Sequence, residues 1–212
     1  MENKKILYKY PRTPHLPWSP GRDNDDKVLQ GIEHFKNKEL VGSIKMDGEN
    51  TTLYRDHIHA RSLDSGDHES RHWVKSFHAS IKHLIPIGWR ICGENLYAKH
   101  SIYYTELESY FYGFSVWNDK NICLSWPETE KFLNDLGIIL VPVFAVGTVE
   151  EIDTEFHNRF NDKETEGYVV RLKDAFKYEE FNRSVAKYVR VNHVQTDSHW
   201  MHQKLVKNKL KK

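Results

Sequence analysis

The residues of this chain that could do covalent or phosphate chemistry are spread along it, mostly at strand ends. Lys45 closes an apolar run at 41–44 and is followed by Met46-Asp47-Gly48. A lysine amine of ordinary pKa, about 10.4, is protonated at neutral pH and cannot attack an electrophile. Nearby cations or a bound metal disfavour its charged form and expose the lone pair. Taken alone, a lysine at a strand end is a solvated charge. Glu94 stands in Gly93-Glu94-Asn95-Leu96-Tyr97, where a carboxylate can accept from hydroxyl donors. Glu166-Gly167 precedes another apolar run. Magnesium prefers such carboxylate oxygens, keeps several waters and bridges to phosphates. Lys187, in Ala186-Lys187-Tyr188-Val189-Arg190, and Arg61, in Ala60-Arg61-Ser62, bring cations to two further strands. The run Phe111-Tyr112-Gly113-Phe114-Ser115-Val116-Trp117 offers ring faces. A base stacked on one is stabilised by roughly 1–3 kcal/mol, although a core strand uses the same residue types.

The elements that must position these groups can be read from periodicity and turn chemistry. Residues 1–38 contain Pro11, Pro14, Pro17 and Pro20 and read as an extended lead-in packed on the core. Strands are expected over 41–45, 51–54 and 58–61, with Asp47-Gly48 as the turn between the first two. Trp73, Phe77, Ile81 and Leu84 recur at helical spacing, predicting an amphipathic helix over 69–84. Strands follow at 89–95 and 111–117. Ser125-Trp126-Pro127-Glu128 is a capping box that opens a helix ending before Gly137. A strand at 141–146 leads to a second capping box, Thr148 to Glu151, and a short helix. Strands at 167–172 and 186–191 close the pattern. Ser198 is expected to cap a last helix through Trp200, Leu205 and Leu210, so that 196–212 form a C-terminal helix and basic tail. Many strands with interspersed helices, lacking the alternation of a doubly wound fold, predict α+β with largely antiparallel sheets flanked by a few helices. On an ideal strand Tyr112 and Phe114 share a face, and Arg190 points away from the face of Lys187.

Composition narrows the classes. The 212 residues suffice for one full core, and 29% charged with 39% hydrophobic residues is ordinary for a globular protein. No run of about 18 apolar residues predicts a membrane helix, and no apolar stretch follows Lys4 and Lys5 to suggest a secretory leader. Net charge is +1, so any nucleic-acid site must come from local clustering. The visible cluster is Lys204, Lys207, Lys209, Lys211 and Lys212, read as a solvated helix end. Cys92 and Cys123 are too few for a disulfide framework or a zinc site, and a reducing cytoplasm is the expected compartment. The 13 histidines, His57 and His59 included, fall in no known ligand order and read as scattered surface residues. His193 and His199 flank Gln195, Thr196 and Asp197, with no physical argument for a role.

In order and spacing, these segments resemble the motifs of the covalent nucleotidyltransferases, the ATP-dependent ligases and mRNA capping enzymes. The resemblance is to ATP-dependent RNA ligases of bacterial and phage type and runs from Lys45 to Arg190. It implies an adenylation domain over 39–195, in which Lys45 attacks the α-phosphorus of ATP and becomes a lysyl–AMP. It implies that Asp47 orients the lysine or reaches the ribose, and that Arg61 contacts the sugar or a phosphate. Glu94 would accept from a ribose hydroxyl, and Phe114 would floor the adenine, with Tyr112 and Trp117 as alternatives. Glu166 would hold Mg2+ or Mn2+, and Lys187 the α-phosphate. Relatives often carry Lys-x-Lys where this chain has Lys187-Tyr188-Val189, so Arg190 is the remaining candidate for the second cation. The implied partners are RNA ends, a 5′-phosphate and a 3′-hydroxyl, with an end-healing kinase or phosphatase upstream. The implied setting is the cytoplasm of a bacterial cell or a phage-infected host. RNA is favoured by the continuation Ala98-Lys99-His100-Ser101-Ile102 and by a tail too short for an appended OB-type domain. The alternatives are a ligase acting on DNA or mixed nicks, or a non-catalytic module that binds RNA ends or nucleotide. Against the latter, Lys45, Glu94, Glu166 and Lys187 are all intact.

Overall fold

β-Branched and aromatic residues dominate the segments around the candidates, and such residues pack well on a pleated, half-buried surface. The computed structural model describes residues 6–160, 165–191 and 205–212. In chain order its regular elements are β1 (Leu40–Ile44), β2 (Glu49–Tyr54), β3 (Ile58–Ala60), α1 (His72–Ile81), β4 (Arg90–Asn95), β5 (Phe111–Trp117), β6 (Ile122–Cys123), α2 (Trp126–Asp135), β7 (Ile139–Leu140), β8 (Val143–Gly147), α3 (Val149–Arg159), β9 (Gly167–Leu172), β10 (Phe176–Lys177) and β11 (Val185–Val189), with short 3-10 turns between some of them.

Two sheets result. One has the order β11-β9-β1-β8, the other β10-β6-β5-β4-β2-β3 with β7 beside β5. Every pairing is antiparallel except β5 with β7, as the α+β reading expects. β1 belongs to the first sheet and β2 to the second, so the turn Lys45–Gly48 is where the chain crosses between them. Helix α3 covers the outer face of the first sheet, where Ile152 and Phe156 join Tyr168 and Val170 in one core. Helices α1 and α2 cover the outer face of the second, where Val74, Ile81 and Leu133 meet Leu53, Ile91, Phe111 and Val116. The inner faces are left to form a cleft.

Both capping boxes form. Glu151 N donates to Thr148 Oγ1 (3.2 Å) and Thr148 N to Glu151 Oε2 (2.8 Å). Ser125 N donates to Glu128 Oε2 (3.0 Å), and α2 gives way to Gly137 at φ +67°. The helix at 69–84 is a central α-helix with a 3-10 turn at each end, and its buried stripe is Val74–His78–Ile81. The expected stripe is met at Ile81, while Trp73 and Phe77 each fall one residue before the buried positions. Trp73 and Phe77 stack on each other at its margin (5.3 Å), and Leu84 is exposed.

The lead-in from residue 6 is extended and docks on the open edge of β11. Leu16 N donates to Lys187 O (2.8 Å), Lys187 N to Pro14 O (2.9 Å) and Gly21 N to Val189 O (2.8 Å). Leu16 is fully buried beneath it. The C-terminal helix is corrected where it can be seen: 205–212 are extended, with bridges from Lys207 to Ala98 and from Leu210 to Leu107. Asn208 is buried and ties this strand down, an outcome that helical spacing could not anticipate. The start of that helix at Ser198 and Trp200, Lys204, and the segment from His193 to His199 lie outside the described residues.

One backbone position is both geometrically and functionally exacting. Gly167 has φ +150°, and a Cβ there would stand 2.0 Å from Tyr188 O. Any side chain therefore forces β9 and β11 apart beside Glu166. Gly167→Ala is expected to lower stability by about 2 kcal/mol or more, read as a lower urea midpoint. Gly66→Ala, at a site with open space around it, is expected to stay within about 0.5 kcal/mol of the parent.

Candidate active site

Antiparallel pairing of β1 with β9 places the end of one strand beside the start of the other. Ile44 pairs with Tyr168, and Lys45 N donates to Gly167 O (3.0 Å). Two residues far apart in sequence thus become neighbours: Lys45 Nζ donates to Glu166 Oε2 at 2.6 Å. The Glu166 side chain is buried, and that of Lys45 is about a quarter exposed. Glu94 enters from β4, paired with Asn50 of β2. Gly48 permits this approach, because a Cβ there would meet Asn95 O at 2.5 Å and Glu94 Cγ at 3.1 Å.

The electrostatics reverse the expectation that cations depress the Lys45 amine. Burial does push its pKa down, but Glu166, Glu94 and Asp47 outweigh it and raise it above the ordinary value. Glu94 is pushed up to about 8, first by burial and then by repulsion from Glu166 and Asp47, against the pull of Lys45. Lys187 is lowered, by burial first and then by the positive charge of Lys45. Glu94 and Lys187 each sense Lys45 across a shared cleft.

That cleft has a volume of about 1070 Å³ and is lined from the first sheet by Lys45, Val169 and Lys187, and from the second by Glu94, Phe114 and Trp117. Arg61 lines it too; burial, and then Arg12, lower its pKa. Phe114 reaches the cleft because of a bulge. Gly93 pairs with Gly113 but Cys92 with Ser115, which leaves Phe114 as the extra residue on β5. Tyr112, expected on the same face, is instead buried, with its hydroxyl accepting from Glu108 N (2.9 Å). The Phe114 ring meets Tyr10 edge-on at 5.2 Å.

Two candidates act on the site from behind. Asp47 Oδ2 accepts from Ser101 N (2.8 Å), Ser101 Oγ (2.7 Å) and Ile102 N (2.7 Å). Its observed bonds therefore fasten the 101–102 backbone next to the lysine, and it reaches Lys45 through its charge. Arg190 is buried and its guanidinium donates to Thr165 O (2.8 Å) and Val191 O (3.3 Å), while its own N–H donates to Glu166 O (3.1 Å). These bonds make Arg190 a brace for the Thr165–Glu166 backbone, with its side chain turned to that side. The strand alternation that turns it from Lys187 is the reason.

Other contributors have no motif. From the lead-in, Asp26 Oδ1 stands 3.9 Å from Lys187 Nζ, and Asp26 Oδ2 is 3.2 Å from His15 Nε2. His15 is fully buried, its Nδ1 is 2.8 Å from Ser19 Oγ, and that oxygen accepts from Val189 N (2.9 Å). Burial, and then Lys187, push His15 down to about 4, so it is neutral at physiological pH. Tyr104 OH accepts from Asp47 N (3.0 Å). Only the proline spacing hinted that the lead-in packs here, and nothing in it marked His15 or Asp26.

Among the described residues no group of three or more His, Cys, Asp or Glu could cage a metal ion. A divalent ion held by one or two carboxylates, waters and substrate phosphates needs no such cage. Glu166, buried and hydrogen-bonded to the cleft-lining Lys45, is the carboxylate that fits that mode.

A family model described as RNA ligase matches residues 38–189. Among solved structures, an archaeal ATP-dependent RNA ligase superposes with a TM-score of 0.59 at 15% identity, over 87% of this chain and 48% of that one. The Naegleria gruberi RNA ligase with PPi superposes with a TM-score of 0.51 at 18% identity, over 75% of this chain and 51% of that one. The chain thus spans about half the length of these structures, and at such identities the likeness speaks for the fold. No curated protein matches. With the family model covering most of the chain, from the strand that carries Lys45 to the strand that carries Lys187, the chain belongs to the RNA ligase family.

Proposed function

We propose that the chain is an ATP-dependent RNA ligase that works through a lysyl–AMP at Lys45. The observation that carries this is the Lys45 amine at 2.6 Å from buried Glu166, with Glu94 and Lys187 coupled to it across one cleft. Lys45 Nζ, once deprotonated, bonds to the α-phosphorus of ATP as the bond to the β-phosphate oxygen breaks and pyrophosphate leaves. An oxygen of an RNA 5′-phosphate then takes the adenylate and frees the amine. A 3′-hydroxyl finally attacks that 5′-phosphate and AMP departs. Glu166 Oε2 accepts from the protonated amine, and that proton is released to solvent before attack. Lys187 offsets charge on the transferring phosphoryl group, Glu94 accepts from the ribose, and Phe114 stacks on the base. A divalent cation on Glu166 would supply charge neutralisation and lower the amine's pKa. Solved variants of the Naegleria ligase, one with ATP and Mn and another with AMP and Mn, support the choice of ATP and a divalent ion.

Because the ends joined must carry a 5′-phosphate and a 3′-hydroxyl, a kinase and phosphatase activity is proposed to prepare them. Both cysteines are buried free thiols, which supports a reducing, cytoplasmic setting.

Incubation with α-labelled ATP and magnesium is expected to leave label on the denatured protein, with none on Lys45→Ala. Lys187→Ala is expected to slow labelling by about 10²-fold. A wild-type chain that binds ATP yet never retains label would leave only the binding-module reading.

The Glu94 carboxyl binds its proton more tightly in the folded chain than in the unfolded one. Its contribution to stability is fully present below pH 4.5 and is lost as pH rises through about 8. Relative to Glu94→Gln, wild type is expected to lose on the order of 1–2 kcal/mol between pH 5 and pH 8, after discounting for solvent screening. Paired urea titrations at the two pH values check this, and a difference that stays flat with pH refutes the assigned environment.

A further inference from the structure

The loop between β4 and β5 and the tail at 205–212 are stitched into one unit. Lys99 N donates to Val206 O (2.7 Å), Leu107 N to Lys209 O (3.0 Å), Lys209 N to Tyr104 O (2.9 Å) and Lys211 N to Leu107 O (2.8 Å). Asn208, 1% exposed, is the keystone. Its Nδ2 donates to Leu96 O (2.8 Å), its Oδ1 accepts from Tyr104 N (3.0 Å), and its carbonyl accepts from Tyr110 OH (3.0 Å). The basic tail is therefore a held surface with a defined register.

Its outer side alternates amines with rings. Lys99, Lys207 and Lys209 are exposed. Lys99 Nζ and Lys209 Nζ each lie 5.9 Å from the ring of Tyr103, which is 41% exposed, and Lys207 Nζ lies 5.0 Å from Tyr97. Glu106 and Glu108 belong to the same loop, yet among the described residues no carboxylate forms an ion pair with any of the three lysines. The unit also adjoins the site. Ser101 and Ile102 are the residues that Asp47 holds, and His100 lines the cleft with Lys45.

We propose that this lysine–tyrosine platform is the docking surface for the RNA strand whose 5′-phosphate receives the adenylate. Amines close to an exposed ring, with no ion-pair partner among the described residues, suit a single strand, whose phosphates lie along the amines while a base stacks on the ring. The inference rests on the ligase reading, because it assigns the strand to the mouth of that cleft. Near-neutral net charge across the chain makes such a local cluster necessary for any polyanion.

The test uses the full chain, a 5′-phosphorylated single-stranded oligoribonucleotide as probe, and two variants, Lys99→Ala/Lys209→Ala and Tyr103→Leu. Anisotropy titrations are run across a range of salt, alongside Lys45 labelling by ATP. The double variant is expected to bind RNA about tenfold or more weakly, and its slope of log affinity against log salt is expected to shrink by about 1.4, for two single-strand phosphate contacts. Tyr103→Leu is expected to weaken binding about tenfold with the slope unchanged. Labelling of Lys45 stays at the parent level in both. Variants that bind RNA with the parent's affinity and slope overturn the platform, including the case in which this surface serves a protein instead. Absence of label on the parent chain would strike the ligase reading, while the titrations still decide the platform.

Discussion

Everything in the cleft is arranged around the contact between Lys45 Nζ and Glu166 Oε2, 2.6 Å across the junction of β1 and β9. An ion pair buried on one side is costly to form unless its geometry is fixed in advance. Three features fix it. The β1–β9 register sets the two backbones opposite each other. Gly167 lets the chain enter β9 where a side chain would strike Tyr188 O. Arg190 bonds Thr165 O from behind, and its N–H holds Glu166 O. The carboxylate therefore meets the amine with little freedom left to lose.

The fold was legible in the sequence where two signals coincided. Capping boxes at Ser125 and Thr148, the aromatic run at 111–117 and the apolar run at 167–172 fell where the strands and helices lie. Short pieces such as β6, β7 and β10 escaped, because two residues carry no period. The phase of α1 escaped because tryptophan and phenylalanine looked like its core face, whereas the sheet takes Val74, His78 and Ile81. In the site, groups singled out by sequence order come together: Lys45 meets Glu166, and Glu94, Phe114 and Lys187 line the same cleft as Lys45. For Arg190 the alternation read from the sequence already pointed it away from Lys187, but its bond to Thr165 O depends on distant backbone that no motif marks. Asp26, His15 and Tyr104 were invisible because their roles depend on distant backbone, the lead-in on β11 and the loop on Asp47.

That lead-in changes what Lys187 is. On an edge strand a lysine would be solvated, but Leu16 N and Pro14 O close the edge, and Lys187 becomes largely buried with Asp26 beside it. Covering the edge also removes a row of unpaired backbone groups that would invite another chain. One segment thus serves the sheet and the site together. His15 stays neutral between Ser19 and Asp26, so the Asp26 carboxylate is left to face Lys187.

Charge in the cleft argues for what must accompany the nucleotide. Lys45, Lys187, Arg61 and Arg12 are met by Asp26, Asp47 and Glu166, while Glu94, pushed up to about 8, keeps its proton at neutral pH. Carboxylates set among the cations reduce the positive potential that a triphosphate would meet, unlike a cleft lined by one sign of charge. They also favour the protonated form of the Lys45 amine. On the proposed reading, a divalent cation held by Glu166 would offset the incoming charge and compete with the amine for the oxygen that stabilises its proton. On the same reading, Lys45 would be released as a nucleophile when nucleotide and cation arrive together, with Glu166 as the residue on which both events act.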